Sequence, residues 1–171
     1  MNTILTFLLI FSLSKVAFAI DVNEPAPDFT IKTLDGKNYT LSTSIGKKPV
    51  YLVFWATWCT ICRAEIPHIK ELYKQHGNEI NIVAINVGQD DSLEKIIKYQ
   101  QEHQLPYTLA FDEGSKISRQ YDVVGTPWQV IIDINGVVRY RSHKTPKNLG
   151  EHIAALSRSN KNDSVTDNTG M

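Results

Sequence analysis

Unbroken apolar runs and helical spacings alternate along the chain. The run from Val50 to Trp55 is apolar at every position, which is typical of a strand buried on both faces of a sheet. A second strand is predicted over Ile80–Val87, and a shorter one over Tyr107–Phe111. These three segments predict the core of a sheet whose strands are joined by long connections.

The segments that connect these strands show the spacing of apolar residues that is typical of helices. In the segment Cys59–His76, apolar residues recur at steps of four, three and four, namely Cys62, Ile66, Ile69 and Tyr73. Pro67 lies inside this helix and predicts a kink. A second helix is predicted over Leu93–Gln100, with Asp91 as its N-cap and Glu94 three residues after the cap.

Two Xaa-Gly pairs predict hairpins. Asp35-Gly36 and Asn135-Gly136 supply the turn chemistry. The flanking extended segments are Phe29–Thr33 with Tyr39–Leu41, and Val130–Ile134 with Val137–Arg141. A short helix is predicted over Gly114–Tyr121, and a last amphipathic helix runs through Leu149, Ile153 and Leu156. After the first hairpin the order is β-α-β-α-β-α-β-β-α, which predicts one α/β domain with a central sheet and helices on both faces.

The two ends of the chain differ from its centre. Ile4–Leu13 is nearly all apolar, and the small-x-small sequence Ala17-Phe18-Ala19 follows it. This pattern predicts a secretory signal peptide over residues 1–19, cleaved after Ala19, and therefore a periplasmic or otherwise exported protein. Lys15, the only basic residue of the segment, follows the apolar run, so an uncleaved anchor is the alternative. Residues 20–158 would form the domain, and the polar residues 159–171 a disordered tail.

Charge and composition exclude some functions. The 171 residues include 18 Lys plus Arg and 18 Asp plus Glu, so we do not expect nucleic acid to be bound through bulk charge. The apolar fraction of 42% is ordinary for a globular domain. The sequence contains no glycine-rich nucleotide fingerprint, and we expect no cofactor.

Both cysteines lie in one tetrapeptide, Cys59-Thr60-Ile61-Cys62, at the predicted start of the first helix. A thiolate at a helix N-terminus is stabilised by free backbone N–H groups and by the helix dipole, which lowers the pKa of the thiol. Cys62 lies one turn further on, where it can attack a mixed disulfide on Cys59. The pattern predicts thiol–disulfide exchange through an exposed Cys59 thiol.

Three other interpretations of the cysteine pair stay open. A structural zinc site needs four ligands, and the five histidines show no paired ligand spacing, so we expect no metal site. A purely structural disulfide would close so short a loop that it stabilises the fold little. Two buried free cysteines are the third interpretation, which the strand-then-helix context disfavours.

The segment Phe54–Pro67, FWATWCTICRAEIP, resembles the active-site segment of the thioredoxin superfamily. It is most similar to the exported TlpA/ResA-like branch, which includes the reductants of cytochrome c maturation. Tyr121–Pro127 resembles the family segment that ends in a cis-proline, and Val130–Gly136 resembles the hairpin after it. The resemblance runs from about Pro25 to Leu156. It implies a thioredoxin-like α/β fold, with a central mixed sheet flanked by helices, an N-terminal hairpin and a helix–strand insert between Asp91 and Phe111.

The resemblance also implies roles for individual residues. Cys59 would be the attacking thiol and Cys62 the resolving thiol. Trp58 would flank the exposed sulfur. Thr126-Pro127, joined by a cis bond, would present backbone to an extended segment of the substrate.

Glu65 matches a glutamate that influences cysteine ionisation in similar exported reductases. A partly desolvated carboxylate near a thiol can accept its proton, although a solvated helix glutamate is the alternative. Val53 stands where thioredoxins proper often have a buried aspartate. Ile61 replaces a frequent proline and Trp128 a frequent small polar residue. Both would border the substrate groove, so they leave the substrate and the redox direction open.

The resemblance implies a monomeric enzyme that reduces protein disulfides, in a cytochrome c maturation-type or similar role. A membrane-bound electron donor would keep it reduced. A disulfide oxidant or isomerase is one alternative. A thioredoxin-like module that binds a soft metal through both thiolates is another.

Overall fold

The computed structural model describes residues 20–158. The predicted signal peptide and the predicted polar tail lie outside the described residues. Within residues 20–158, no helix is both long enough and apolar enough to cross a membrane.

Seven strands form two sheets in the described part of the chain. They are β1 (Thr30–Lys32), β2 (Asn38–Thr40), β3 (Val50–Trp55), β4 (Asn81–Asn86), β5 (Thr108–Phe111), β6 (Trp128–Ile132) and β7 (Val138–Ser142). β1 and β2 form an antiparallel hairpin, and the other strands form one sheet in the order β5-β4-β3-β6-β7. β3 is parallel to β4 and antiparallel to β6. The predicted mixed sheet and N-terminal hairpin are confirmed.

The helices of this region also follow the prediction. They are α1 (Thr60–His76), α2 (Leu93–His103), α3 (Lys116–Gln120) and α4 (Leu149–Leu156). α1 contacts α4. Pro67 lies inside α1, and the kink expected there stays a prediction.

The apolar sequence of β3 explains its place in the middle of the sheet. All six of its residues are buried, and β4 and β6 flank it on its two edges. Its register sets Val53 opposite Gln129 of β6, and Trp55 opposite Asn86 of β4. Since β3 and β4 run in parallel, both end at the same edge of the sheet, and α1 begins there.

The N-cap of α2 differs from the prediction. Ser92 caps this helix, and its hydroxyl oxygen accepts a hydrogen bond from the Lys95 N–H at 3.3 Å. The Asp91 carboxylate instead accepts hydrogen bonds from Thr57, in the loop between β3 and α1. The assignment of Asp91 as the cap was wrong because neighbouring Asp and Ser residues fit the same local capping pattern.

A buried ion pair fixes the hairpin of β6 and β7. Arg139 Nε lies 2.7 Å from Asp133 Oδ2, and both side chains are fully buried. Asp133 Oδ1 also accepts hydrogen bonds from the N–H groups of Asn135 and Val137 in the turn. Arg139 Nη1 donates to Asn23 Oδ1 at 2.9 Å, which ties the first residues of the domain to this hairpin.

Ile20, the first described residue, is held at three points. Its side chain is buried. Its backbone nitrogen donates to Asp122 Oδ2 at 3.2 Å, and its carbonyl oxygen accepts a hydrogen bond from Arg141 Nη1. Asp122 belongs to the segment that leads to Thr126-Pro127, so the start of the domain contacts that segment.

Candidate active site

A disulfide bond joins Cys59 and Cys62 where α1 begins. Cys59 is the N-cap residue of this helix, and the Cα atoms of the two cysteines are 5.2 Å apart. The Cys62 N–H donates to Cys59 Sγ at 3.1 Å. The same N–H would stabilise a negative charge on this sulfur after reduction. The predicted pair is thus placed at the carboxyl edge of the sheet.

The two cysteines are far less accessible than their neighbours in sequence. Cys59 is 5% exposed and Cys62 is 6% exposed, whereas Trp58 is 49% and Ile61 is 63% exposed. The prediction of an exposed Cys59 was wrong for this disulfide form, because its sulfur is turned toward Cys62 and the first turn of the helix. The exposed apolar side chains of Trp58 and Ile61 therefore flank a disulfide that is itself buried.

Asp91 holds the loop that precedes Cys59. Its Oδ2 accepts the Thr57 N–H at 2.8 Å, and its Oδ1 accepts the Thr57 hydroxyl. Asn86, at the end of β4, donates to the same carboxylate at 2.7 Å. The Trp58 indole N–H donates to the carbonyl oxygen of Gln89 at 2.8 Å, which fixes the ring. These contacts were not predicted, although a buried asparagine at the end of an apolar strand was a signal for them.

Thr126 and Pro127 are joined by a cis peptide bond. Pro127 is buried, and it lines one small cavity together with Cys62 and Glu65. His143 Nδ1 lies 2.9 Å from the Pro127 carbonyl oxygen. The structure therefore brings the proline segment and the start of α1 together, although they are far apart in the chain.

Trp128 packs against side chains of β7 and the loop after it. Its ring meets His143 edge-on, with 4.5 Å between the ring centroids. The guanidinium carbon of Arg141 lies 5.3 Å from the centroid of the Trp128 ring, within cation–π distance. The role of Trp128 in substrate contact stays a prediction.

An open groove of about 260 Å³ lies between Trp58 and the segment that precedes Pro127. Val124 and Thr126 are among its lining residues. Val124 is 82% exposed, so this groove offers an apolar contact in addition to the Trp58 ring. Trp58 and Val124 thus both present exposed apolar surface at this groove.

Glu65 ends a chain of polar side chains. Its side chain is 24% exposed, and the Thr145 hydroxyl donates to its Oε2. Gln129 Nε2 donates to Thr145 Oγ1 at 2.9 Å, and the Tyr51 hydroxyl donates to Gln129 Oε1. The Glu65 carboxylate is therefore anchored to the sheet instead of standing free in solvent.

Glu65, Cys62 and Gln129 line a cavity of about 20 Å³, which has the volume to hold one water molecule. Most of the other lining is apolar, and includes Val53. Burial raises the pKa of Tyr51, so its hydroxyl keeps its proton and acts as a donor at physiological pH. Cys62 of the disulfide and the half-buried Glu65 thus border one small, mostly apolar space.

Comparisons with known proteins identify relatives of this chain. The model of the AhpC/TSA family matches residues 22–141. The chain is 35% identical over 127 residues to the thioredoxin-like protein YneN of Bacillus subtilis (strain 168), which covers 74% of each protein. It is 34% identical over 141 residues to the thiol-disulfide oxidoreductase ResA of Geobacillus kaustophilus (strain HTA426), which covers 81% of this chain and 79% of that protein.

A solved structure from Chlorobium tepidum, described as a thiol:disulfide interchange protein DsbE, has a TM-score of 0.68 and 31% identity. The match covers 81% of this chain and 99% of that one. The fold is therefore thioredoxin-like, as the sequence resemblance implied. No group of three or more His, Cys, Asp or Glu side chains among residues 20–158 is placed to hold a metal ion.

Proposed function

Since this chain belongs to the AhpC/TSA family and has the thioredoxin-like fold, we propose that it is an exported reductant of disulfide bonds in other proteins. It is a thiol–disulfide oxidoreductase, like the relatives that carry this name. The observation that carries the proposal is the disulfide between Cys59 and Cys62 at the N-terminus of α1.

The proposed reaction begins with the reduced enzyme. The Cys59 thiolate attacks one sulfur of a target disulfide, forms a mixed disulfide and releases the other target sulfur as a thiolate, which takes up a proton. Cys62 then loses its proton and attacks Cys59 Sγ, which forms the bond seen in the structure and releases the second target thiol. Two electrons pass to the target, so an external dithiol must reduce the enzyme before the next cycle.

Glu65 is the proposed acceptor of the Cys62 proton. Both side chains line the same small cavity, which has room for one bridging water molecule. A carboxylate held beside a thiol and shielded from solvent is suited to general-base catalysis of the second step.

The groove beside Trp58 is the proposed site for the target protein. An extended segment of the target would lie against Thr126-Pro127, with its disulfide directed at Cys59. Trp58 and Val124 are both exposed and would supply apolar contact. Trp128, which follows Pro127 at the start of β6, would add an aromatic contact to the target.

Export and a membrane-bound electron donor complete the proposal. The predicted signal peptide over residues 1–19 supports export, and the resemblance to the TlpA/ResA-like branch supports the donor. The same resemblance favours targets of the cytochrome c maturation type and a monomeric enzyme.

Trapping tests the exchange. In the full chain, Cys62→Ser removes the resolving thiol, so targets should stay linked to Cys59 through a disulfide in cells of the organism that makes it. The variant that also carries Cys59→Ser is the matched control and should capture nothing. If the single variant captures no more protein than the double variant, the exchange proposal is wrong.

A reduction potential tests the direction. A value near the roughly −270 mV of thioredoxin supports a reductant, whereas a value near the roughly −120 mV of DsbA means a disulfide oxidant. The measurement is an equilibrium titration of the full protein against glutathione or dithiothreitol buffers, with the fraction of disulfide read by thiol alkylation.

A further inference from the structure

We propose that Thr145, Gln129 and Tyr51 are positioning residues that hold the Glu65 carboxylate toward Cys62 for the resolving step. This inference rests on the proposed proton transfer from Cys62 to Glu65. It adds the residues that orient the carboxylate for that transfer.

The hydrogen bonds of these side chains run in one direction. The Tyr51 hydroxyl donates to the Gln129 carbonyl oxygen, the Gln129 amide donates to Thr145 Oγ1, and the Thr145 hydroxyl donates to Glu65. If the amide of Gln129 were turned over, its oxygen would face Thr145 and compete for the hydroxyl proton that Glu65 accepts. The Tyr51 hydroxyl disfavours this orientation because it donates to the amide oxygen, and burial raises the pKa of Tyr51 so that it keeps its proton.

Burial makes these bonds hard to exchange for others. Tyr51 and Gln129 are fully buried. A buried donor or acceptor left without a partner loses its hydration without gaining a hydrogen bond in return. A rotation of Glu65 away from the sheet would break its hydrogen bond to Thr145 and disturb the bonds of Gln129 and Tyr51. The chain of bonds therefore favours one orientation of the carboxylate.

That orientation suits proton transfer. Thr145 binds Oε2 of Glu65, and within residues 20–158 the other oxygen, Oε1, accepts no hydrogen bond. Cys62, Glu65 and Gln129 line the same cavity, so the side chains of Glu65 and Cys62 border one space. Gln129 lies two residues after Pro127 on β6, and its partner across the sheet is Val53, whose side chain cannot titrate.

Other titratable groups lie near Glu65, and their influence on the resolving step must be distinguished from that of Glu65. His68 Nδ1 lies 3.7 Å from Glu65 Oε2, but its side chain is 75% exposed. The remaining groups that face Glu65 or Tyr51 are Cys62 on α1, Tyr107 before β5 and Tyr140 on β7. The His68 imidazole lies within ion-pair distance of Glu65 Oε2, so it needs its own control.

Ellman's reagent separates the two steps in the full-length protein. The reduced enzyme forms a mixed disulfide on Cys59 and releases one thionitrobenzoate, and attack by Cys62 then releases a second. Stopped-flow absorbance between pH 5 and 9 gives the rate of each release. We expect Thr145→Val to slow the second release about tenfold at pH 7, with the first release unchanged. The pH dependence of the second release in Thr145→Val should approach that in Glu65→Gln.

Conservative variants make the test independent of folding. Thr145→Ser keeps the hydroxyl and should keep the wild-type second release. Tyr51→Phe and Gln129→Leu should slow the second release in the same direction as Thr145→Val but by less. Tyr121→Phe removes a buried hydroxyl that bonds Pro27 instead, so it should leave the second release unchanged. His68→Gln should also leave it unchanged.

Each outcome decides between the two proposals. If Glu65→Gln slows the second release but Thr145→Val, Gln129→Leu and Tyr51→Phe do not, the positioning inference is wrong and the role of Glu65 stands. If Thr145→Val slows the second release equally when Glu65→Gln is also present, Thr145 does not act through Glu65 and the inference is again wrong. If Glu65→Gln itself has no effect, the proposed proton transfer fails and the inference fails with it.

Discussion

Asp91 and Thr57 are joined by two hydrogen bonds, although 34 residues separate them in the chain. Thr57 lies two residues before Cys59, and Asp91 lies in the loop after β4. The position of the disulfide is therefore set by two parallel strands together, through the loops at their carboxyl ends. Asn86 reinforces this connection from the end of β4.

Replacing Asp91 should loosen this connection. Asp91→Asn keeps the size of the side chain but turns one acceptor into a donor that faces the donors of Thr57. We expect the free energy of unfolding to fall by about 1–3 kcal/mol, measured by urea denaturation of the oxidised protein. Asp90→Asn changes the exposed neighbouring aspartate and should alter stability by less than about 0.5 kcal/mol. Equal effects of the two variants would contradict the prediction.

Replacing Val124 should weaken the binding of protein substrates. Val124→Ser removes exposed apolar surface from the groove, and we expect KM for a disulfide-containing protein to rise about fivefold, since one buried aliphatic contact contributes on the order of 1 kcal/mol. The rate with Ellman's reagent, which needs no groove, should not change. Ile45→Ser alters another exposed apolar side chain, next to the Gly136 turn, and is the matched control. A parallel loss with both substrates would argue against a binding role for Val124.

Breaking the buried ion pair should be costly for stability. Arg139→Met leaves Asp133 charged and fully buried, so the free energy of unfolding should fall by about 3–5 kcal/mol in urea denaturation. Lys98→Met breaks an exposed pair with Glu102 and should cost less than about 1 kcal/mol. A loss below about 1 kcal/mol for Arg139→Met would show that water reaches this site. The disulfide chemistry of the folded fraction should be unaffected in both variants.

Alkaline pH should destabilise the fold through three buried tyrosines. Burial raises the pKa of Tyr51, Tyr107 and Tyr121 above the ordinary value of 10.0. A raised pKa means that the unfolded chain loses these protons first, so stability is full below about pH 9 and falls as the pH rises above about 10. The urea midpoint at pH 8, 9.5 and 11 measures this effect. The urea midpoint of Tyr121→Phe should fall less steeply between pH 9.5 and 11 than that of the wild type. An unchanged slope would exclude Tyr121 as a source of the alkaline destabilisation.

The fold was predictable because its signals are local. The unbroken apolar run of β3 identified a central strand, and the spacing of apolar residues after Cys59 identified α1. Asp35-Gly36 and Asn135-Gly136 marked both hairpins. Each of these signals depends on residues within a few positions of one another, so tertiary contacts did not override them.

The parts of the site that were missed depend on contacts between distant segments. The partner of Asp91 lies in another loop, and local sequence could not show it. Tyr51 had a weaker signal, because it places a hydroxyl in a predicted apolar strand and must find a partner there. Gln129 had none, since it stands before the predicted strand Val130–Ile134. The low exposure of Cys59 could not be predicted either, since it follows from the direction in which the N-cap side chain turns.

Ile20, the residue after the predicted signal peptide, contacts the segment that ends at Pro127. If the predicted cleavage after Ala19 takes place, the neutral backbone N–H that now meets Asp122 becomes a positively charged amino group at the same position. Maturation would then replace a neutral contact with an ion pair, on the segment that ends at Pro127. The segment that leads to Thr126-Pro127 would then differ in charge between the precursor and the cleaved protein.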